Sequence, residues 1–370
     1  MRRSEGETER GGERESESEG ATERVREGAT RRTGEKSERQ GEGATGRTGA
    51  LAVGDDQDDQ SARRLKALKP ADKVAIGYLA LITLLVLVFS HRIPSWWGFC
   101  ALHTVLIALI VFLARSLPLS PSHPLSPSPP PPLWSRIAPF IRGWYPILLI
   151  PITYKELSYL IPLIQPRDFD ETLAWIDYRL LGVHPTVWLE RFTWPLLTEV
   201  LQLVYSTYYF LPLVLGVALW RRRSFETFHF WVFIVVLGFY SSYLGYISVP
   251  VIGPRFLPSI VEAQTIPLTG VWLFQSVRET LDRAEGITRD CFPSGHTEIT
   301  LLVLIYARRI NRRIFWWLLP LGIGIIISTV YLRYHYVIDV VAGAVLAIVI
   351  VLIAKPLYRA LGGNEFPESG

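Results

Sequence analysis

Cysteine and methionine are scarce in this sequence, and one long segment lacks aromatic residues. The 370 residues include two cysteines and one methionine. The cysteines, Cys100 and Cys291, allow one disulfide, which their number alone does not establish. Residues 1–73 contain no Phe, Trp or Tyr and consist almost entirely of Glu, Arg, Gly, Ser, Thr and Asp. Such a segment cannot bury enough apolar surface to offset the entropy lost on ordering, so we expect a disordered tail.

Charge is limited and nearly balanced. Charged residues make up 19% of the chain, and the net charge at pH 7 is +4. Acidic and basic residues alternate along the tail, and no aromatic side chain lies among them to stack on bases. This composition therefore gives no support to nucleic-acid binding.

Hydrophobic residues, 49% of the chain, concentrate in apolar runs after residue 73. A helix that crosses a bilayer needs about 20 apolar residues, and most of the runs are long enough. We therefore expect an all-α integral membrane protein with about eight transmembrane helices, a core of six preceded by a pair. The first run is expected to serve as its own insertion signal. The runs are approximately 74–90, 98–114, 140–164, 196–220, 228–249, 294–308, 315–332 and 336–354.

Basic clusters fall on alternate connections between these runs and mark the cytoplasmic side. The opposite connections also contain arginine, but acids such as Asp168 and Glu279 balance it. We expect a prokaryotic plasma-membrane protein with both termini in the cytoplasm and residues 250–255, 291–297 and 333–339 on the outer side. The cytoplasmic clusters lie at residues 63–73, 115–136, 221–223, 308–313 and 355–359.

Composition divides the chain into five segments. The proline density of the third segment favours extended polyproline conformation, which suits either a semi-rigid spacer or a docking site for a partner domain. The segments are a disordered cytoplasmic tail (1–73), a two-helix unit (74–115), a proline-rich linker (116–137), a six-helix membrane core (138–358) and a short tail (359–370).

The tetrapeptide Pro293-Ser294-Gly295-His296 opens the sixth run and has the features of an anion site. Free backbone N–H groups and the macrodipole at a helix start attract anions. Gly295 lets a phosphate approach the backbone, Ser294 can cap the helix or donate, and His296 is within reach of a leaving oxygen. A capped helix start with an interfacial histidine is the competing interpretation.

His335 and Asp339 are four residues apart and share a face if the eighth helix begins between them. A carboxylate bonded to one ring nitrogen fixes the tautomer and raises the basicity of the other, as a nucleophilic histidine requires. An Asp within a span is costly unless it has a partner, which favours function. Two alternatives remain open: an ion pair of Asp339 with Arg333, and a zinc site that adds His296 and Glu298.

Four further charged residues lie near these blocks. Arg255 follows a Gly-Pro pair at the outer end of the fifth run, and its guanidinium suits bidentate phosphate contact, as does that of Arg333. Such arginines would repel a metal cation and suit phosphate better. Lys155 and Glu156 lie in the outer half of the third run, where charges usually face a cavity or neutralise each other.

The chain resembles the type 2 phosphatidic acid phosphatase superfamily over roughly residues 140–354. The resemblance rests on Pro-Ser-Gly-His followed about forty residues later by His-x-x-x-Asp. The resemblance implies that His335 attacks phosphorus, that Asp339 orients the His335 ring, and that His296 protonates the leaving group. The branch resembled is that of the inositolphosphotransferases, similar to inositol phosphorylceramide synthase. That likeness rests on Gly253-Pro254-Arg255, Tyr154-Lys155-Glu156, residues 177–182, and Pro185-Thr186.

Two positions depart from the superfamily pattern. Its first motif has a Lys seven positions before the Arg, where this chain has Ser248. Its third motif has Ser-Arg six residues before the histidine, where this chain has Ser328 and Thr329. Both departures remove a cation from the expected phosphate pocket, and Arg333 and Lys155 are the candidates to replace them.

These observations predict a metal-independent lipid phosphotransferase without a cofactor, acting at the outer face on a phospholipid-type ester. Its partners are a phosphorylated lipid, an alcohol acceptor and the bilayer. A lipid phosphate or polyprenyl diphosphate phosphatase is the alternative within the superfamily, and a non-catalytic lipid transporter or scramblase the alternative outside it. Accessory residues for holding an acceptor are Lys155, Glu156, Glu298, Tyr331 and Tyr205.

Overall fold

Helices make up every regular element of the described structure. The computed structural model describes residues 68–118, 133–285 and 289–364, apart from the side chains of residues 135 and 136. No strand occurs in this part of the chain, which confirms the all-α fold expected from the sequence. The predicted disordered tail, up to residue 67, and residues 119–132 of the proline-rich linker lie outside the described residues.

The helices are numbered here in chain order. Two 3₁₀ turns, Leu189–Phe192 and Thr207–Phe210, lie between them. The α-helices of the described residues are α1 (Pro70–Val88), α2 (Trp96–Ser116), α3 (Leu133–Ile164), α4 (Asp170–Leu181), α5 (Pro185–Trp188), α6 (Pro195–Ser206), α7 (Leu211–Arg221), α8 (Phe225–Ser248), α9 (Pro258–Ala263), α10 (Phe274–Glu285), α11 (Gly295–Ile310), α12 (Arg312–Tyr331) and α13 (Val337–Ala360).

Seven stretches of the described residues are long and apolar enough to cross a membrane. They are α1, α2, most of α3, α6 and α7 taken together, α8, α12 and α13. The remaining predicted run, 294–308, forms α11, whose 16 residues span about 24 Å, less than the ~30 Å of a hydrocarbon core. Helix α11 nevertheless packs against α8, α12 and α13, so it completes a six-helix core within an integral membrane protein.

Helix α8 is the centre of the bundle. In its most apolar stretch 72% of the residues are buried, against 22–44% in the other candidate spans. A helix that is hydrophobic on all sides belongs in the interior of a bundle. Helices α1, α3, α7, α11 and α13 all pack against α8. The core helices, including α11 and α13, which begin at the histidine motifs, therefore pack around the apolar helix α8.

Buried charge attaches α1 to the core. Helix α1 begins at Pro70, four residues before the apolar run that predicted it, because proline suits the first helical position and Asp72 accepts the backbone N–H of Lys69 at 2.8 Å. Arg142 of α3 donates to the Asp72 carboxylate at 3.1 Å, and the Tyr145 hydroxyl donates to it as well. All these partners are buried, so loss of one would leave an uncompensated charge.

A second buried network attaches α2. His103 of α2 lies with Nε2 2.5 Å from Oε1 of Glu156 on α3, and with Nδ1 2.7 Å from the hydroxyl of Thr83 on α1. His103 and Glu156 are 0% and 7% exposed. Glu156, expected from the sequence to assist the chemistry, is therefore bonded at the junction of the helix pair with the core.

The membrane orientation is predicted from the basic clusters at one end of the bundle. We expect reporter fusions at residues 223 and 311 to read cytoplasmic, because each lies among the arginines that mark that side. A fusion at residue 270, between α9 and α10, should read external. Protease-protected reporter activity in intact cells measures all three. A cytoplasmic reading at residue 270 would place the histidines on the inner face and contradict the assigned orientation.

Candidate active site

Three loops meet at one end of the bundle. The backbone N–H of Cys291, before α11, donates to the carbonyl of Val251, after α8, at 3.2 Å. The N–H of Ser294 donates to the carbonyl of Asp339 at 3.0 Å, and the thiol of Cys291 lies 3.3 Å from the carbonyl of Tyr334. The motifs that sequence analysis singled out are thus brought together by backbone contacts. Cys100 and Cys291 are both free thiols.

His335 and Asp339 form a buried pair. Nδ1 of His335 lies 3.4 Å from Oδ2 of Asp339, and the two side chains are 5% and 0% exposed. Helix α13 begins at Val337, and the same Asp339 oxygen accepts the N–H of Tyr336 at 2.9 Å, as the third residue of a helix often does. The carboxylate is therefore fixed by the helix start and can hold one tautomer of the imidazole.

His296 is held by aromatic rings. Its ring stacks on Tyr205 at 4.4 Å between centroids and lies 4.1 Å from the ring of Tyr208. The centroids of His296 and His335 are 5.7 Å apart. Nε2 of His296 is buried and has no hydrogen-bond partner in the part of the chain that the structure describes. Tyr205, expected from the sequence as an accessory residue, stacks on Tyr334 as well and so fixes the imidazole against the loop of His335.

Ser294 and Gly295 shape the start of α11. Ser294 is the N-cap, and its hydroxyl accepts the backbone N–H of Thr297 at 3.3 Å. A Cβ added to Gly295 would lie 2.4 Å from the hydroxyl of Tyr246, so this position requires glycine for close approach. Neither residue lines the cavity described below, and both position His296.

Arg255 reaches the site and Arg333 does not. The guanidinium of Arg255 lies over the ring of Tyr334 at 4.6 Å and donates to Asp282 at 2.8 Å. Arg333 has a left-handed backbone (φ 68°) and donates to Glu190 at 2.9 Å and to the carbonyl of Ile266 at 2.6 Å. Of the two arginines predicted to bind phosphate, Arg255 is the one placed beside the histidines.

The other accessory candidates lie apart from the histidines. Lys155 is exposed and donates to the backbone carbonyl of Glu285 at 3.3 Å. The carboxylate of Glu298 is fully buried and accepts the hydroxyl of Ser242. The hydroxyl of Tyr331 is 3.0 Å from that of Thr198. In the described residues no three His, Cys, Asp or Glu side chains are grouped as metal ligands, so the zinc arrangement does not assemble.

A cavity of about 330 Å³ opens onto His296 and His335. Arg255 lines the same cavity, and side chains of α3 and α7 form part of its apolar lining. The cavity is lined mainly by aromatic and aliphatic side chains, with a few converging polar groups, as ligand sites usually are. Its tyrosines are Tyr154, Tyr205, Tyr208, Tyr209, Tyr243, Tyr246 and Tyr334.

Sequence reasoning missed two carboxylates in this cavity. The hydroxyl of Tyr154 donates to Asp290 at 2.6 Å, and that of Tyr209 donates to Glu285 at 2.5 Å. Burial, and then the neighbouring Asp290, raise the pKa of Glu285 to about 7. Asp290 directly precedes the Cys291 motif, which was a usable signal. Glu285 lies in an outer helix of ordinary polar composition, and nothing in the sequence marks it.

Two aspartates that sequence analysis left without a role hold the loops. Asp170 of α4 accepts the N–H groups of Ile252 and Gly253 at 2.9 and 2.7 Å and the hydroxyl of Tyr336 at 3.0 Å. It thereby joins the loop of Arg255 to that of His335. Asp177, whose neighbours carried the family resemblance, accepts two N–H groups at the start of α13, at 2.7 and 2.9 Å. Burial raises the pKa of Asp177.

Substitution of Asp170 by asparagine should slow turnover by about 100-fold, the effect of misplacing a reacting group by about 1 Å. The amide nitrogen would face a backbone N–H or the Tyr336 hydroxyl in place of an acceptor, so the two loops lose their common anchor. Steady-state kinetics with a phosphorylated lipid measures the change. Glu171→Gln, an exposed neighbour on the same helix, should keep full activity. Unchanged turnover in Asp170→Asn would show that the loops are held by other contacts.

Comparison with known proteins supports the family that the motifs resemble. Residues 172–353 match the family model of the PAP2 superfamily. The chain is 27% identical over 171 residues to a PA-phosphatase related-family protein of Dictyostelium discoideum, covering 41% of this chain and 31% of that protein. The chain thus spans about a third of the length of that relative. No solved structure matches the chain. The matched residues include Arg255, His296, His335 and Asp339, and they lie within an all-helical integral membrane protein.

Proposed function

We propose that the chain is a membrane-embedded lipid phosphotransferase that works through a phosphohistidine on His335. The observation that carries this proposal is the meeting of His296, His335 and Arg255 in the lining of one cavity, with the buried Asp339 carboxylate beside His335. The PAP2 superfamily domain suggests a lipid phosphatase or phosphotransferase. The residues of this chain can carry out that chemistry in two steps.

In the first step the free ring nitrogen of His335 attacks phosphorus. The bond between nitrogen and phosphorus forms as the bond between phosphorus and the lipid oxygen breaks. His296 gives its proton to that oxygen, so the lipid leaves as an alcohol. Asp339 stabilises the positive charge that develops on the His335 ring. Arg255 stabilises the phosphoryl oxygens in the transition state.

In the second step an alcohol takes the place of the departed lipid. His296, now without its proton, accepts the proton of the acceptor hydroxyl as the acceptor oxygen attacks phosphorus. The phosphorus–nitrogen bond breaks and His335 returns to its starting form. Water can take the same path, and the reaction is then hydrolysis. The likeness to the inositolphosphotransferase branch makes an inositol-phosphoryl group a candidate for transfer.

The charge of the site favours a phosphodiester over a phosphomonoester. Apart from the two histidines, Arg255 is the only basic residue among the described residues that line the cavity. The hydroxyl of Ser248 donates to the carbonyl of Leu244, and Ser328 and Thr329 are buried under the His335 loop. One guanidinium suits the single negative charge of a diester better than the two charges of a monoester. Transfer of a head group from a diester is consistent with this match of one positive charge to one negative charge.

The apolar part of the cavity suits a lipid. It extends to Leu148, which is 65% exposed on the outer surface of α3, and to Tyr209, which is 41% exposed at the break between α6 and α7. These exposed positions lie on candidate membrane spans and would face acyl chains in a bilayer. A substrate whose phosphate is near the histidines can therefore extend its hydrocarbon between α3 and α7.

The test is product analysis of the purified full chain in lipid vesicles. The vesicles contain phospholipid donors, and the solution contains inositol, glycerol or other alcohols. We expect the phosphoryl-bearing group of a diester to appear on an added lipid or soluble alcohol, and His335→Ala to give none. Steady release of free head-group phosphate with no transfer product at any acceptor concentration would identify the protein as a phosphatase. Transbilayer lipid movement without any covalent change would support the transporter instead.

His296→Ala should slow turnover of alkyl phosphate esters by about 10²–10⁴-fold, the usual contribution of a general acid. The loss should be much smaller for a nitrophenyl ester, because nitrophenolate leaves without a proton. Parallel assays of the two substrates measure the difference. His91→Ala, an exposed histidine in the connection of α1 to α2, serves as control. Equal loss with both substrates would show that His296 acts on another part of the reaction.

A further inference from the structure

One wall of the cavity is acidic, and the proposed reaction does not use it. This acidic wall consists of Glu285 and Asp290 with the tyrosines that bond them, Tyr209 and Tyr154. All four side chains line the same cavity as His296 and His335. Two carboxylates beside a phosphoryl site repel the phosphate itself, so their presence calls for a positively charged group in the ligand.

No basic side chain of the described residues forms an ion pair with Glu285 or Asp290, the two carboxylates of the acidic wall. Arg255, which lies in the same cavity, forms its ion pair with Asp282. Lys155 donates to the backbone carbonyl of Glu285, at 3.3 Å, and the structure records no ion pair between the two side chains. Arg289 bonds both carboxylate oxygens of Asp168. Burial, and then the neighbouring Asp290, raise the pKa of Glu285, whereas Arg255 lowers it.

The rest of the cavity suits an ammonium group as well. The rings of Tyr205, Tyr208, Tyr243 and Tyr246 line it, and tyrosine faces attract ammonium and quaternary ammonium ions. Nε2 of His296, which lines this cavity, is buried and has no hydrogen-bond partner among the described residues, so it is free to bond a ligand atom. Aromatic rings together with carboxylates, next to one guanidinium, are complementary to a zwitterionic head group that carries one phosphate and one ammonium charge.

We propose that the acidic wall binds the ammonium group of a phosphodiester lipid whose phosphorus lies at His335. This inference rests on the proposed function and names its donor class. Phosphoethanolamine and phosphocholine lipids share this chemistry. The bond between phosphorus and the head-group oxygen stays intact, and the bond between phosphorus and the lipid alcohol breaks as described above. An ammonium head group differs from the inositol that the branch resemblance implies.

The experiment compares donors with the same acyl chains in vesicles that contain the purified full chain. Donors with phosphoethanolamine, phosphocholine, phosphoinositol and phosphoglycerol head groups are offered at equal surface density. We expect kcat/KM for the two ammonium donors to exceed that for the phosphoglycerol donor by about tenfold or more, a difference within reach of cation–π and carboxylate contacts. Glu285→Gln and Asp290→Asn should remove this preference mainly through KM.

Three controls separate specificity from folding and chemistry. The thermal unfolding midpoint of Glu285→Gln should lie within a few degrees of the wild type, which shows that this variant folds. Glu279→Gln, on the exposed face of the same helix α10, should keep the ammonium preference. Head-group binding is measured separately with His335→Ala, by displacement of a fluorescent phosphocholine lipid, because this variant cannot turn over its ligand.

Each result decides one question. Equal or faster turnover of the phosphoinositol donor by the wild type would overturn the ammonium proposal and leave the phosphohistidine mechanism standing. Loss of the preference in Glu279→Gln as well as Glu285→Gln would also overturn it. Absence of turnover with all donors would overturn the proposed function. In that case, equal displacement by phosphocholine and phosphoglycerol lipids in His335→Ala would overturn the ammonium proposal too, and selective displacement would support it.

Discussion

Replacement of His335 by alanine is expected to abolish both turnover and the covalent intermediate. His335 lies 3.4 Å from Asp339 and also lines the cavity, so it combines access to phosphorus with a carboxylate that can orient its ring. Removal of a catalytic nucleophile costs roughly 10⁴–10⁶-fold in turnover.

The measurement is trapping of a radiolabelled phosphoenzyme from a labelled lipid, followed by acid and base treatment. A phosphohistidine is labile in acid and stable in base, whereas phosphoserine behaves in the opposite way. We expect the wild type and the exposed-site control His91→Ala to give the acid-labile signal, and His335→Ala to give none. Full activity of His335→Ala would contradict the proposed mechanism, and an acid-stable phosphoenzyme would move the nucleophile to a hydroxyl.

Asp339→Asn is expected to slow the reaction by about 10⁴-fold, the order of effect found when the carboxylate that orients a catalytic histidine becomes an amide. The asparagine oxygen can still accept the N–H of Tyr336, the bond that Asp339 makes at 2.9 Å, so the start of α13 should be preserved. The amide cannot stabilise the positive imidazole, and its N–H group favours the wrong tautomer. The loss should therefore appear in kcat.

Thermal unfolding and burst kinetics distinguish this role from a structural one. We expect an unfolding midpoint within a few degrees of the wild type and a slower burst of phosphoenzyme. Glu171→Gln is the control, since Glu171 is an exposed carboxylate of α4. A normal burst rate in Asp339→Asn would show that the carboxylate serves only the packing of α13.

Local sequence was sufficient for the helices and for the pair at the centre of the site. Apolar runs of about 20 residues predict helices in a bilayer, because unpaired backbone groups are too costly there for other structures. A spacing of four residues places His335 and Asp339 on one face, and a Ser before Gly295 predicts a capped start for α11. These inferences depend on neighbours in the chain, which the sequence displays directly.

Partners that are distant in the chain could not be predicted in this way. Glu156 was expected to face a cavity or to neutralise Lys155, but it bonds His103, 53 residues earlier in the chain, at the junction with α2. Arg333 was expected to bind phosphate and is held by Glu190. A charge in a sequence shows that a partner is needed. Which partner it finds depends on the packing of helices from different parts of the chain.

The sequence by itself determined an all-helical membrane protein with His335, Asp339 and His296 in motifs typical of phosphoryl chemistry, because hydrophobic length and helical spacing are local properties. The tertiary structure alone decided what surrounds those residues. It placed Glu285 and Asp290 in the same cavity through a loop and an outer helix, and it used Asp170 to join two loops. The character of the cavity, and with it the proposed choice of head group, depends on contacts between distant segments, such as that of Tyr154 with Asp290, 136 residues apart.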